Sequence, residues 1–209
     1  MALVLASARR VVASDRFVRE HRWRSHPSPE LPIVPGLTGR RLGIHGLGMV
    51  GMKVAARAEA FEMEVGYHGR APRADVDHQF HPTLVGLASW ADFLVIAARA
   101  VPANRHAVGA AVLEALGPSG HLVNVARGSL VDQAALIAAL RAGTIAGAGL
   151  DVHEREPLEP GEIETLDNVV LTPHIAGATE SAQVAAIALV VANVEAFLAG
   201  RPLPNRVPG

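Results

Sequence analysis

The chain has no cysteine, a single lysine (Lys53) and few aromatic residues: two Trp, one Tyr and five Phe in 209 residues. Without thiols it can form no disulfide, no thiolate metal site and no cysteine nucleophile. Its basic residues are otherwise arginine, and the formal net charge is −1. A balance so near zero supplies no electrostatic footprint for nucleic acid or an anionic membrane, and neither is expected as a partner. The apolar start, Met1–Ala8, has no positive segment before it and is too short for the core of a signal peptide, so the cytoplasm is the expected placement. Only Val184–Leu198 approaches membrane-spanning length. Asn193 and Glu195 interrupt it, and a buried helix is expected there.

What is present suits a packed globular core: half of the residues are hydrophobic, 50%, against 19% charged. The length allows one or two domains. Val4, Ala8, Val11 and Val18 fall on one helical face, with Leu5 and Val12 beside it, which predicts one first helix with an uncovered apolar side. No capping residue precedes it, which suggests either upstream sequence or a frayed first turn. Pro27, Pro29, Pro32 and Pro35 then mark a loop, closed by Gly36 and Gly39.

Strand and helix patterns alternate from there on. Strands are expected at Leu42–His45, Glu64–His68, Phe93–Ala97, Leu122–Val125, Ala146–Val152 and Val169–Leu171. Helices are expected at Met49–Ala60, Leu84–Trp90, Val108–Leu116, Asp132–Ala142 and Thr179–Ala199. Gly143 closes the fourth of these, and Thr179 and Gly200 cap the last. Such alternation implies an α/β fold with a doubly wound parallel sheet and helices on both faces. The division expected is an N-terminal helix and proline-rich connector (1–35), a nucleotide-binding domain (36–178), and a C-terminal helix and proline-rich tail (179–209).

Gly46, Gly48 and Gly51 form G-L-G-M-V-G directly after the first strand and at the start of a helix. That context gives the pattern its meaning. The glycines allow a tight turn, close approach of a pyrophosphate and close helix–strand packing, while the helix N-terminus offers N–H groups to the phosphates. The fold is thus Rossmann-like. Dinucleotide sites for NAD usually place an acid at the end of the second strand, on the ribose 2′-hydroxyl. Here that stretch reads Gly66-Tyr67-His68-Gly69-Arg70-Ala71-Pro72-Arg73. It has no acid, and Arg70 and Arg73 stand where a 2′-phosphate would lie. NADP(H) is therefore the preferred cofactor, with NAD(H) the alternative. The expected cofactor contacts are Gly46, Gly48, Met49, Val50, Gly51, His68, Arg70, Arg73, Ala126 and Asp151. No metal is expected.

Three charged or ionisable residues follow three successive strands: Arg127 in N-V-A-R-G-S-L-V-D, Glu156 in G-L-D-V-H-E-R-E-P and His174 in L-T-P-H-I-A-G-A-T. The ligand crevice of an open parallel sheet lies beyond the carboxyl ends of its strands, so these three can converge. With the glycine loop they resemble the D-isomer-specific 2-hydroxyacid dehydrogenase family, most closely its glyoxylate/hydroxypyruvate reductase members. The resemblance implies hydride transfer between nicotinamide and the C2 of a small 2-oxo or 2-hydroxy acid. It also implies that Arg127 binds the substrate carboxylate, that His174 is the general acid or base, and that Glu156 pairs with His174. Glu154, two residues away, is the alternative for that last role. The chemistry agrees, because reduction at a carbonyl needs a proton donor near neutral pH and a carboxylate needs a fixed cation.

Two departures from the family matter, one in the glycine loop and the larger at the N-terminus. Met49 stands where members often carry arginine, which removes one phosphate contact. His153 stands where they often carry an aromatic residue. The family's usual substrate domain, which closes the cleft and helps bind the carboxylate, is not evident before the first helix. The expectation is that the chain binds NADP(H) but reduces 2-oxo acids poorly alone. Its uncovered first helix predicts a homodimer. A catalytically inactive, nucleotide-sensing or corepressor-like protein is the competing reading, and a nonfunctional remnant the third.

Overall fold

The computed structural model describes residues 1–25 and 31–206. Pro27 and Pro29 of the connector and the last three residues of the tail lie outside them. The chain forms two compact units, residues 1–173 and 174–209.

The first unit is built on one parallel sheet in the order β3-β2-β1-β4-β5-β6-β7. Its strands are β1 (Arg41–His45), β2 (Glu64–His68), β3 (Gln79–Phe80), β4 (Phe93–Ile96), β5 (His121–Asn124), β6 (Gly147–Leu150) and β7 (Val169–Leu171). The chain winds outward from β1 through β2 to β3, then returns to the other side of β1 and winds outward through β4 to β7. The direction reverses between β1 and β4, and there the sheet opens a crevice.

Strand side chains alternate between the two faces. On β4, Phe93 and Val95 join one core with Leu42, Ile44, Tyr67 and Val123, while Leu94 and Ile96 join the other with Leu122, Ala148 and Leu150. Helices α1 (Ala2–Ala8) and α3 (Met49–Glu59) supply the first core, and α4 (Leu84–Trp90), α5 (Ala110–Leu116) and α6 (Gln133–Ala142) the second. The doubly wound sheet with helices on both faces is what the alternation of patterns predicted. Asp132 caps α6 by accepting from the Ala135 N–H, and Gly143 closes it at φ 68°.

Three expectations need correction. The predicted single first helix is two, α1 and α2 (Val11–Arg19), because Arg10 adopts the left-handed conformation at φ 49° and turns the chain. The apolar face of α1 is also covered: Leu3, Val4 and Ala8 are buried against β5, β6 and β7. Close approach is possible because β6 presents Gly147 and Gly149 on that side. A β-carbon on Gly149 would lie 3.0 Å from that of Leu3. Val11, Val12 and Val18 of α2 remain exposed. The third correction concerns α7 (Glu180–Leu198), which is not a buried helix. Only Ala196 in it is buried, because its apolar residues run all round and its own unit holds little besides the helix. By length and composition alone α7 could cross a membrane, with mean hydropathy 1.7. Thr179 caps it, accepting from the Ala182 N–H. A smaller difference lies in α5, which starts at Ala110 rather than Val108 because Val108 bridges to Val131.

One buried polar contact docks α1. Ser7 Oγ and His121 Nδ1 share a hydrogen bond of 2.8 Å, and the imidazole stacks on Phe93. Burial lowers the His121 pKa from 6.5 to about 4. The folded state therefore binds fewer protons than the unfolded chain, so this contribution is complete above about pH 6.5 and is lost as pH falls toward 4. Acidification from pH 7.5 to 5 is expected to cost about 1–2 kcal/mol through this group. Urea unfolding of the chain and of His121→Gln at both pH values checks it, since the variant should lose that part of the pH slope.

Candidate functional site

The glycine loop leaves β1 at the point where the sheet reverses. Gly46 has φ 98°, and a β-carbon there would lie 2.4 Å from the Ala98 backbone after β4. Only glycine fits that turn, which its N–H fixes by donating to the His68 carbonyl at 2.9 Å. A β-carbon on Gly51 would lie 2.3 Å from the Gly46 carbonyl oxygen, so that glycine lets α3 pack onto the turn. Gly48 differs from both. Its φ of −84° is open to any residue, and a β-carbon would meet nothing within 4 Å. The protein's own packing does not require glycine there; a ligand seated over the loop would. No side chain caps α3, so its first N–H groups point toward the same space. Met49 beside them, one of the expected cofactor contacts, is 86% exposed. These residues fit a dinucleotide pyrophosphate.

At the end of β2 the His68 ring stacks on His45 with centroids 5.3 Å apart, and its Nδ1 donates to the His81 carbonyl at 2.9 Å. Neither ring nitrogen of buried His45 has a hydrogen-bond partner among the described residues. Burial, and secondarily the charge of His68, pushes its pKa down to about 4, so His45 is a neutral wedge under the loop. The two arginines behave differently. The Arg73 guanidinium is engaged by the Asp75 carboxylate and donates to the Leu47 carbonyl at 2.6 Å, which ties this segment to the glycine loop. Arg70 is exposed, with no ion-pair partner among the described residues.

Beyond β5, Asn124 organises the turn that carries Arg127. It is fully enclosed, its Oδ1 accepts from the Ala126 N–H at 3.1 Å, and its Nδ2 donates to the Arg127 carbonyl at 3.0 Å. Arg127 Nη1 donates to the Ala126 carbonyl at 2.6 Å. Beyond β6, Asp151 is buried and accepts from Thr172 Oγ1 at 2.5 Å, tying β6 to the end of β7. His153 Nε2 donates to the Thr172 carbonyl at 3.2 Å. The Glu156 carboxylate accepts the His153 N–H at 2.9 Å. Glu154 is committed elsewhere: its carboxylate pairs with Arg105 and accepts from His106 Nε2 at 2.8 Å. His106 first, then Arg105, holds it below the usual carboxylate range. His174 is the first residue of the second unit, with φ 55°.

The first unit therefore gathers the glycine loop, His68 and Arg73 around the ends of β1 and β2, and sets the Arg127 and Glu156 turns at the neighbouring ends of β5 and β6. Asn124 and Thr172 were not singled out from sequence. An amide inside an apolar strand, in the run His121–Asn124, was the available signal for the first.

The sequence matches the D-isomer specific 2-hydroxyacid dehydrogenase, NAD binding domain, over residues 1–176. The chain belongs to this family. It is 41% identical over 203 residues to a glyoxylate/hydroxypyruvate reductase A of Arabidopsis thaliana, covering 97% of this chain and 64% of that protein. It is 39% identical, with the same coverage, to a hydroxyphenylpyruvate reductase of Plectranthus scutellarioides. Among solved structures, the NADPH-dependent glyoxylate/hydroxypyruvate reductase of Sinorhizobium meliloti, in complex with NADP and malonate, superposes with a TM-score of 0.87 at 40% identity. That match covers 99% of this chain and 67% of that one. The chain thus spans 64% of the length of these curated relatives.

In a 2-hydroxyacid dehydrogenase coenzyme domain the glycines have separable roles. Gly48→Ala is expected to leave urea stability within about 0.5 kcal/mol, while weakening dinucleotide binding about tenfold or more. Gly46→Ala is expected to destabilise the fold by about 2 kcal/mol or more, through strain and overpacking. Paired denaturation and fluorescence titrations separate the two effects.

Proposed function

We propose that the chain binds NADPH in preference to NADH and serves the reduction of a small 2-oxo acid of the glyoxylate or hydroxypyruvate type. The observation that carries this reading is the shared rim: the glycine loop and the Arg127 and Glu156 turns all leave the carboxyl ends of one parallel sheet.

The cofactor preference follows from charge. No acid stands at the end of β2, in residues 66–73, to pair with a ribose 2′-hydroxyl, and the Asp75 carboxylate further on is paired with Arg73. Arg70 offers a guanidinium with no ion-pair partner among the described residues, and Arg73 braces the loop behind it through Asp75 and Leu47. The Sinorhizobium relative was crystallised with NADP, which supports the preference.

Bound at the glycine loop, NADPH would supply the hydride for C2 of the acid. The Arg127 guanidinium binds the carboxylate in a bidentate fork and draws electron density from the C2 oxygen. His174 donates the proton that this oxygen needs as negative charge develops on it. Glu156 pairs with His174, favours its protonated form and fixes the ring. Glu154 is the alternative; its contacts with Arg105 and His106 support Glu156 for this role. A second copy of the chain belongs to the reading, because α2 leaves Val11, Val12 and Val18 in water.

NADPH is expected to bind about tenfold or more tightly than NADH, and Arg70→Ala to abolish the difference, as loss of a charged hydrogen bond to phosphate would. Equal affinities in fluorescence titrations would overturn the preference. Glyoxylate- or hydroxypyruvate-dependent NADPH oxidation, reduced about 10²-fold or more in His174→Gln, checks the reaction. Tight cofactor binding with no substrate-dependent oxidation would put a nucleotide sensor in its place. Sedimentation as a monomer at micromolar concentration would remove the dimer.

A further inference from the structure

The Arg127 and Glu156 turns lie past the last ladder hydrogen bonds of β5 and β6, so something other than the sheet must hold their spacing. The loop after β4 bridges both. Within it His106 adopts φ 54°, a left-handed conformation that residues with a β-carbon seldom take. From there its backbone N–H donates to the Ser129 carbonyl, 2.8 Å away on the Arg127 side. Its Nε2 reaches Glu154 Oε1 at 2.8 Å on the Glu156 side. Arg105 pairs with the same carboxylate. The Glu154 N–H also leans toward Gln133 Oε1, at 3.4 Å, at the start of α6.

The two turns also touch directly. A β-carbon on Gly128 would lie 1.9 Å from the His153 carbonyl oxygen and 2.5 Å from the Glu154 nitrogen. Gly128 follows Arg127, and the His153 N–H is the donor to Glu156. A short relay therefore runs from Arg127 through Gly128 and His153 to Glu156, clamped from outside by His106 and Glu154. None of the clamp residues was assigned a role in the chemistry above.

We propose that His106, Glu154 and Arg105 are positioning residues, a polar cross-link that fixes the Arg127 turn against the Glu156 turn. Their catalytic value rests on the reductase reading; the cross-link itself does not. Exposed ion pairs contribute little to global stability. The cross-link should therefore show locally, in the order of two loops, rather than in the unfolding midpoint.

The test uses Glu154→Ala, with Glu154→Gln as the conservative variant that keeps an acceptor oxygen for His106 and Arg105. In the chain without cofactor, amide hydrogen exchange over residues 127–131 and 151–157 should quicken about tenfold in Glu154→Ala and largely recover in Glu154→Gln. Exchange in β1 and β2 should not change, and the NADPH dissociation constant should stay within about twofold. Where the unsubstituted chain turns over glyoxylate, Glu154→Ala should lower kcat/KM for glyoxylate about tenfold or more, with KM for NADPH unmoved. Unchanged exchange in both segments would overturn the cross-link, as would faster exchange throughout the chain. Absence of turnover by the unsubstituted chain would count against the reductase reading alone, and the exchange data would still decide the cross-link.

Discussion

All seven strands of the sheet run parallel. That single constraint places every strand's carboxyl end on one rim, and every chemically interesting residue of the first unit sits on a loop leaving that rim. Parallel pairing also requires each return crossing to pass over a face of the sheet, which is why both faces are covered and the strands are apolar on both sides. Reversal of winding between β1 and β4 then parts two neighbouring loops and leaves the crevice into which Gly48 opens. The core exists to hold that rim rigid. Leu94 and Ile96 on one side of β4, with Phe93 and Val95 on the other, are buried for this reason.

The rim is built in two different ways. Around β1 and β2 it works by removing side chains: Gly46 and Gly51 are glycine because backbone already fills their space, and Gly48 is glycine although nothing in the protein fills it. Around β5 and β6 it works by adding polar cross-links, with Asn124 clamping the Arg127 turn and Asp151 joined to Thr172. The first method suits a ligand whose phosphates must approach backbone N–H groups. The second suits side chains that must stay at fixed spacing around a small, changing charge, where misplacement by an ångström is costly.

Sequence pattern alone revealed the parts of this that are local. The glycine loop was legible because turn, strand and helix lie within a dozen residues. Strand positions were legible to within one or two residues, Ala146–Val152 against the observed Gly147–Leu150 for example, because apolar runs on both faces of a parallel sheet are nearly continuous. Features that depend on distant partners were not. β3 is only Gln79–Phe80 and is a strand solely because β2 lies beside it. The break at Arg10 carries no glycine or proline to announce it. Exposure of α7 was hidden because an apolar helix without a polar face looks buried whatever surrounds it. Glu156 was preferred over Glu154 on the resemblance, with Glu154 as the alternative, since both lie on one loop. His106 and Arg105, nearly fifty residues earlier, engage the Glu154 carboxylate, and no spacing along the chain announces that contact.

That commitment bears on how the family's chemistry tolerates sequence change in this chain. Met49 gives the glycine loop no cation of its own, yet that loop is braced by Arg73 through the Leu47 carbonyl and Asp75. A brace of this kind preserves the backbone N–H geometry even when a side-chain contact is gone. A pyrophosphate over the loop would meet backbone N–H groups, which no side-chain substitution removes.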